Sequence, residues 1–170
     1  YRKDLFLRFS LAFFFVNIIG FIIYYTHPAA PPWYYEEFGN ILYTSTKSNA
    51  AGLIRFNKFF NVTFFEELYS KGSNVFAAMP SLHSAYPLIG FIYASYLQKK
   101  HFMFIFGIVS AGIWVSAIYL NHHYILDILV GIACALLGIV ILEKIIFPTP
   151  KIKKWLLDFE KAITPSSNQE

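Results

Sequence analysis

Charged residues and cysteine are both scarce in this chain of 170 residues. Asp, Glu, Lys and Arg make up 14% of it, against roughly 25% in soluble domains, which argues against a disordered chain or a nucleic-acid-binding tail. The single cysteine, Cys134, cannot form a disulfide within the chain, so a disulfide-linked secreted scaffold is excluded. Hydrophobic residues make up 56%, above the roughly 45–50% of soluble domains. This composition predicts an integral membrane protein.

Four apolar runs are long enough, or nearly so, to span a bilayer. They cover residues 5–25, 84–97, 102–120 and 124–147. None alternates with the period of a strand, so the predicted fold is all-α: a helical membrane bundle with four visible spans. We expect residues 1–170 to form a single membrane-embedded catalytic domain with a flexible tail at 163–170. The start at Tyr1 rather than Met is compatible with an N-terminal truncation.

The basic residues predict which ends of the spans share a side. They form three clusters: Arg2, Lys3 and Arg8; Lys99 and Lys100; and Lys151, Lys153 and Lys154. Four spans place all three clusters on one face, which the positive-inside rule assigns to the cytoplasm together with both termini. Residues 26–75, here called the outer segment, then face the periplasm, the exterior or a lumen. Apolar spacing within it predicts short amphipathic helices in the membrane interface.

Two motifs on the outer side carry ionisable groups that are costly near a membrane. His83 begins the second span and His123 begins the fourth, so both lie at one depth. Asp127 follows His123 by one helical turn and can hold the imidazole Nδ1–H while Nε2 attacks an electrophile. His83 can then act as general acid and base. The predicted chemistry is group transfer at phosphorus or carbon, although each histidine alone is also compatible with an interface residue and Asp127 with a helix cap.

Further side chains on the outer side are candidates for binding the substrate. They are Ser81, His122, Asn121, Tyr124, Arg55 and Lys58. On a helix, His122 points about 100° away from His123, so a direct role for it is weaker. The sequence lacks a His-Glu-x2-His motif, which weighs against a metal-dependent membrane enzyme, and no cofactor is expected. A metal-dependent membrane enzyme and a non-enzymatic membrane subunit remain alternatives.

Residues 76–131 resemble the type 2 phosphatidic acid phosphatase superfamily. Pro80-Ser81-Leu82-His83 is similar to its Pro-Ser-x-His motif, and residues 116–127 are similar to its Ser-Arg-x5-His-x3-Asp motif. The resemblance implies a phosphohistidine on His123, acid/base work by His83, orientation by Asp127 and no metal. It also implies a core of six spans. The difference from the four spans predicted here would be explained by two spans before Tyr1, or by counting the first span differently.

Two departures from the family pattern bear on the substrate. The family arginine falls on Ala117, and its upstream Lys-x6-Arg-Pro motif is absent. A phosphomonoester dianion depends most on such cations, so their absence favours a phosphodiester. The form of the motifs around His83 and His123, with Pro-Pro-Trp-Tyr upstream, looks like the branch that contains inositol phosphorylceramide synthases.

The resemblance therefore implies a lipid phosphotransferase. It would move a phospho-headgroup, expected to be phosphoinositol, from a glycerophospholipid donor to a lipid hydroxyl such as that of ceramide. The alternative is a lipid phosphatase or pyrophosphatase that uses the same site with water as acceptor. The expected partners are the two lipids and the bilayer, with no nucleic acid, and the oligomeric state stays open.

Overall fold

The computed structural model describes residues 2–72 and 74–163, and within these the chain is helical. The helices are α1 (Lys3–Thr26), α2 (Pro32–Phe38), α3 (Ile54–Phe60), α4 (Phe64–Ser70), α5 (Leu82–Tyr96), α6 (Lys100–Tyr119), α7 (Ile125–Ile141) and α8 (Pro150–Ala162). A 3-10 turn precedes α3, and α7 continues through a π-helical turn at Leu142–Ile146. The described β-structure is one bridge between Ala29 and Ala77. The all-α prediction is confirmed. Of the predicted tail at 163–170, all residues after Ile163 lie outside the described part of the chain.

Three helices are long and apolar enough to cross a membrane, rather than the four predicted. They are Lys3–Thr26, Lys100–Tyr119 and Ile125–Ile146. The other predicted span is α5, whose 15 residues extend about 22 Å, short of a hydrocarbon core of roughly 30 Å. It is short because the residues before Leu82 are non-helical and pair with the outer segment instead, Ala78 donating its backbone N–H to Ala29. Eight of the 15 residues of α5 are buried, so protein rather than lipid surrounds it.

α5 packs against α1, α6 and α7 at the centre of the bundle. Small residues allow close packing: an added Cβ at Gly20 of α1 would collide with Leu82, and one at Gly90 would collide with Phe106. The buried core combines such positions with aliphatic side chains. Its members include Ala12, Val16, Ala85, Ile89, Ala135 and Ile139.

An ion pair ties three helices together at one end of the bundle. Arg8 Nη1 lies 2.7 Å from Glu143 Oε2, and Tyr93 donates its hydroxyl to Glu143 Oε1 at 2.8 Å. Arg2 and Lys99 line one groove at this end, and Arg2 and Lys153 line another. The predicted basic clusters therefore share one end, here called the basic end. His83 and His123 lie at the other, the histidine end.

Among the glycines of the described chain, Gly131 of α7 has the closest neighbours. A Cβ on this residue would overlap the backbone carbonyl of Ser81 and the hydroxyl of Ser84. The Ser81 N–H also donates to the carbonyl of Asp127 at 2.9 Å, one helical turn earlier on α7. Backbone thus meets backbone where α5 begins, and any side chain at Gly131 would separate the two helices.

The outer segment folds back over the histidine end. Gly52 donates its N–H to the carbonyl of Leu120 at 3.0 Å, and Trp33 donates to the carbonyl of Asn121 at 3.2 Å. The amphipathic helix predicted near residues 48–60 is present but starts later, as the 3-10 turn followed by α3. These contacts hold the outer segment on the loop between α6 and α7.

We expect Gly131→Ala to destabilise the protein, since overpacking costs roughly 1–3 kcal/mol. The matched control is Gly112→Ala in α6, where an added Cβ meets nothing within 4 Å. Thermal unfolding in detergent should give a lower midpoint for Gly131→Ala and an unchanged or slightly higher one for Gly112→Ala. Equal midpoints for both variants would contradict the role of the close contact.

Candidate functional site

The two sequence motifs meet through backbone contacts at the histidine end. Besides the bond from Ser81 to Asp127, the Ser84 hydroxyl donates to the carbonyl of Ser81 at 2.6 Å. Tyr24 of α1 donates its hydroxyl to the carbonyl of Pro80 at 2.9 Å, so a third helix holds the same turn. The start of α5, which carries His83, is thereby fixed against the start of α7.

A cavity of about 340 Å³, here called the histidine cavity, opens between these helix ends and the outer segment. His83, His122 and His123 all line it. Its membrane-side wall includes Ile113 and Ala117 of α6. The outer segment forms the opposite wall with Trp33, Ser48, Asn49 and Tyr69 among its members. The structure therefore brings together the histidines that the topology had placed at one depth.

Asp127 serves both the helix and the imidazole. Its Oδ2 accepts the backbone N–H of Tyr124 at 2.8 Å, which caps α7. The same oxygen lies 3.5 Å from His123 Nδ1, and both side chains are largely buried. Nδ1 has no hydrogen-bond partner among the described residues. The carboxylate thus supplies a close negative charge to one edge of the ring and leaves Nε2, at the opposite edge, for chemistry.

His83 is exposed and lines the cavity from the first turn of α5. Of the residues that the structure describes, no lysine or arginine lines the histidine cavity. A ligand there would meet imidazoles, amides and hydroxyls rather than fixed positive charge. This is the geometry expected from the alanine at position 117, which lines the cavity where the family pattern has an arginine.

His122 is held against Tyr69 of α4. Their rings stack with centroids 4.8 Å apart and planes inclined by 18°. Burial, and then electrostatic interaction with the neighbouring imidazole of His123, lower the pKa of His122 to about 4, while a hydrogen bond with the Ala50 backbone acts in the opposite direction. Burial also raises the pKa of the Tyr69 hydroxyl. Both groups are therefore neutral around pH 7.

The remaining candidate residues lie around the cavity rather than in it. Ser81 is fully buried, and its hydroxyl has no described partner. The side-chain amide of Asn121 donates hydrogen bonds to both carboxylate oxygens of Glu36, each at 2.9 Å. Arg55 lines a separate cavity with Asn121. Tyr124 and Lys58 are exposed, and neither lines the histidine cavity.

Sequence reasoning missed the residues that the outer segment contributes. Trp33, Ser48, Asn49 and Tyr69 line the cavity, but sequence analysis singled out only the tryptophan, as part of the Pro-Pro-Trp-Tyr sequence. The others lack any spacing that would link them to His123. Within residues 2–72 and 74–163, no group of three or more His, Cys, Asp or Glu side chains is placed to hold a metal ion.

Comparisons with known proteins agree with the motifs. A family model of the PAP2 superfamily matches residues 1–141. The chain is 50% identical to the phosphoinositol dihydroceramide synthase of Bacteroides thetaiotaomicron over 138 residues, which cover 81% of this chain and 45% of that protein. It is 32% identical to the inositol phosphorylceramide synthase of Candida albicans over 136 residues, which cover 79% of this chain and 28% of that protein. The chain spans less than half the length of these curated relatives. No solved structure matches it.

The low pKa of His122 predicts a loss of stability in acid. Above pH 6.5 the ring is neutral in both states, but below it the unfolded chain takes up a proton that the folded chain does not until about pH 4. We expect His122→Phe, which keeps the aromatic stack, to lose less thermal stability than wild type between pH 7 and pH 4.5. His101→Phe, at an exposed position, should lose as much as wild type. If His122→Phe lost as much thermal stability in acid as the wild type does, the low pKa of His122 would be contradicted.

Proposed function

The chain belongs to the PAP2 superfamily, and we propose that it carries the active site of a membrane phosphotransferase that moves phosphoinositol from a glycerophospholipid to the hydroxyl of a ceramide-type lipid. The observation that carries the proposal is the cavity lined by His83 and His123, with Asp127 behind His123. The relatives named above as synthases support the choice of headgroup and acceptor. Ser81, expected from the motif to bind substrate, is fully buried and is proposed to support the site by fixing the start of α5 through its N–H bond to Asp127.

In the first step, His123 Nε2 attacks phosphorus and the bond to the diacylglycerol oxygen breaks. His83, in its protonated form, gives its proton to the departing oxygen. The carboxylate of Asp127, 3.5 Å from Nδ1, stabilises the positive charge that develops on the ring of His123. The products of this step are diacylglycerol and a phosphohistidine that carries the headgroup.

In the second step, the acceptor lipid enters and His83, now neutral, removes the proton from its hydroxyl. The resulting oxygen attacks the phosphohistidine, the bond between phosphorus and Nε2 breaks, and His123 is restored. Because each displacement inverts phosphorus, the two together retain its configuration. Neutral His122, stacked on Tyr69, is proposed to line the space for the substrate without adding charge.

The lack of fixed positive charge favours a diester over a monoester. A phosphomonoester carries two negative charges near pH 7, whereas a phosphodiester carries one. In the described chain the histidine cavity offers no lysine or arginine to balance the second charge. Of the other candidates, Asn121 is proposed to hold the outer segment in place through Glu36. Arg55, Lys58 and Tyr124 are proposed to contact the lipid surface.

Hydrolysis with the same three residues is the second candidate. The first step would be the same and would leave the same phosphohistidine, but water would replace the acceptor hydroxyl in the second step. The outer segment favours transfer, because two backbone hydrogen bonds hold it over the cavity, from Gly52 to Leu120 and from Trp33 to Asn121. An acceptor lipid bound beneath this segment would displace the water that would compete.

We expect purified protein in mixed micelles to move labelled phosphoinositol from phosphatidylinositol to ceramide. His123→Ala should abolish transfer, and His83→Ala should slow it roughly 100- to 10,000-fold, the usual range for a general acid and base. His101→Ala is the matched control, because His101 is exposed at the basic end and should keep wild-type activity.

The products separate the two candidate functions. Labelled headgroup on ceramide supports transfer, whereas water-soluble inositol phosphate formed at the same rate with and without ceramide supports hydrolysis. Substantial transfer by His123→Ala would refute the proposed nucleophile. Free phosphate from phosphatidic acid, faster than transfer from phosphatidylinositol, would refute the preference for a diester.

We also propose that the histidine end faces away from the cytoplasm and that both ends of the chain face it. The basic clusters at the opposite end support this orientation through the positive-inside rule. In a Cys134→Ala background, Val62→Cys should react with an impermeant thiol reagent added to intact cells. His101→Cys should react only after permeabilisation. The reverse pattern would overturn the orientation.

A further inference from the structure

A second cavity of about 520 Å³ adjoins the histidine cavity. We call it the polar cavity because Glu37, Lys47 and Glu66 line it together with several hydroxyl groups. Its walls are drawn entirely from residues 33–66 of the outer segment. Trp33, Ser48 and Asn49 line both cavities. A molecule bound at the histidines therefore has a direct neighbour in this polar space.

The two cavities differ in the ligand chemistry that they suit. The polar cavity presents two carboxylates, and neither Glu37 nor Glu66 forms an ion pair with a lysine or arginine of the described chain. Carboxylates repel a phosphate but accept hydrogen bonds from hydroxyls. Lys47, Ser48 and Asn49 add donors, and Trp33 adds an aromatic wall. This combination suits an uncharged ligand that carries several hydroxyl groups.

The order of the cavities matches the order of groups in a phospholipid. The histidine cavity includes α6 residues such as Ile113 and Ala117, and so lies on the membrane side. The polar cavity contains only residues of the outer segment and lies beyond it. In a bilayer the acyl chains, the phosphate and the headgroup follow one another in the same direction. A lipid whose phosphorus meets His123 would therefore direct its headgroup toward Glu37 and Glu66.

We propose that the polar cavity binds the polyhydroxylated headgroup of the donor lipid, with Glu37 and Glu66 as residues that determine headgroup specificity. This inference rests on the proposed function, since it takes the phosphorus to lie at His123. Asn49 is a positioning residue in this arrangement. Its amide nitrogen lies 3.4 Å from Glu37 Oε2, and its amide oxygen accepts the N–H of Ala51 at 2.8 Å.

The test measures binding without turnover. In the His123→Ala background, apparent affinity is obtained from the rise in unfolding temperature with added ligand. The two ligands are dioctanoyl phosphatidylinositol and dioctanoyl phosphatidylmethanol, which have the same charge but differ in their hydroxyls. A cooperative unfolding transition in each variant shows that it is folded. Glu67→Gln is the control, because Glu67 lies beside Glu66 on α4 and does not line the cavity.

We expect Glu37→Gln and Glu66→Gln each to weaken phosphatidylinositol binding about tenfold, as for a lost hydrogen bond to a charged group. Phosphatidylmethanol binding should be unchanged, and Glu67→Gln should behave as its parent. Unchanged phosphatidylinositol binding, an equal loss for both ligands, or no preference for phosphatidylinositol in the parent would each overturn the proposal. Selective binding in a wild-type protein that transfers no headgroup would instead refute the proposed function alone.

Discussion

The contact between Gly131 and the turn at Ser81 sets the geometry on which the histidine end depends. The absence of a side chain at Gly131 lets the backbone of α7 touch the carbonyl of Ser81, and the Ser81 N–H then reaches the carbonyl of Asp127. His83 follows Ser81 by two residues, and His123 precedes Asp127 by one helical turn. Because helical residues rotate by about 100° each, a slip of one residue would turn one histidine away from the cavity.

The two ends of the bundle differ in how far their buried polar groups are paired. At the basic end, Glu143 is fully engaged by Arg8 and Tyr93. At the histidine end, buried polar atoms of Ser81, His122 and His123 have no described partner. Each such atom costs roughly 1–3 kcal/mol when it is left unpaired. These unpaired atoms lie at the same end of the bundle as the sequence motifs, where Asp127 stands 3.5 Å from Nδ1 of His123.

The histidine motifs and the helical class could be predicted from sequence because they depend on local spacing and hydrophobic runs. The placement of His83 and His123 at one depth followed from topology alone, and both line one cavity. The second predicted span, α5, is shorter than the other three, and hydropathy alone does not show that eight of its 15 residues are buried in protein rather than in lipid. The contribution of Tyr69 and Asn49 was not predictable, because it depends on how a segment without regular spacing folds over the site.

The covering of the site links substrate entry to catalytic geometry. The outer segment is anchored to Leu120 and Asn121, immediately before His122 and His123 in the chain. A movement that opened the cavity by breaking these bonds would also release the loop that positions the proposed nucleophile. Under the proposed mechanism, His123 is therefore best aligned when the cavity is covered. Such coupling favours transfer, because a phosphohistidine formed under the cover meets a bound lipid hydroxyl before it meets bulk water.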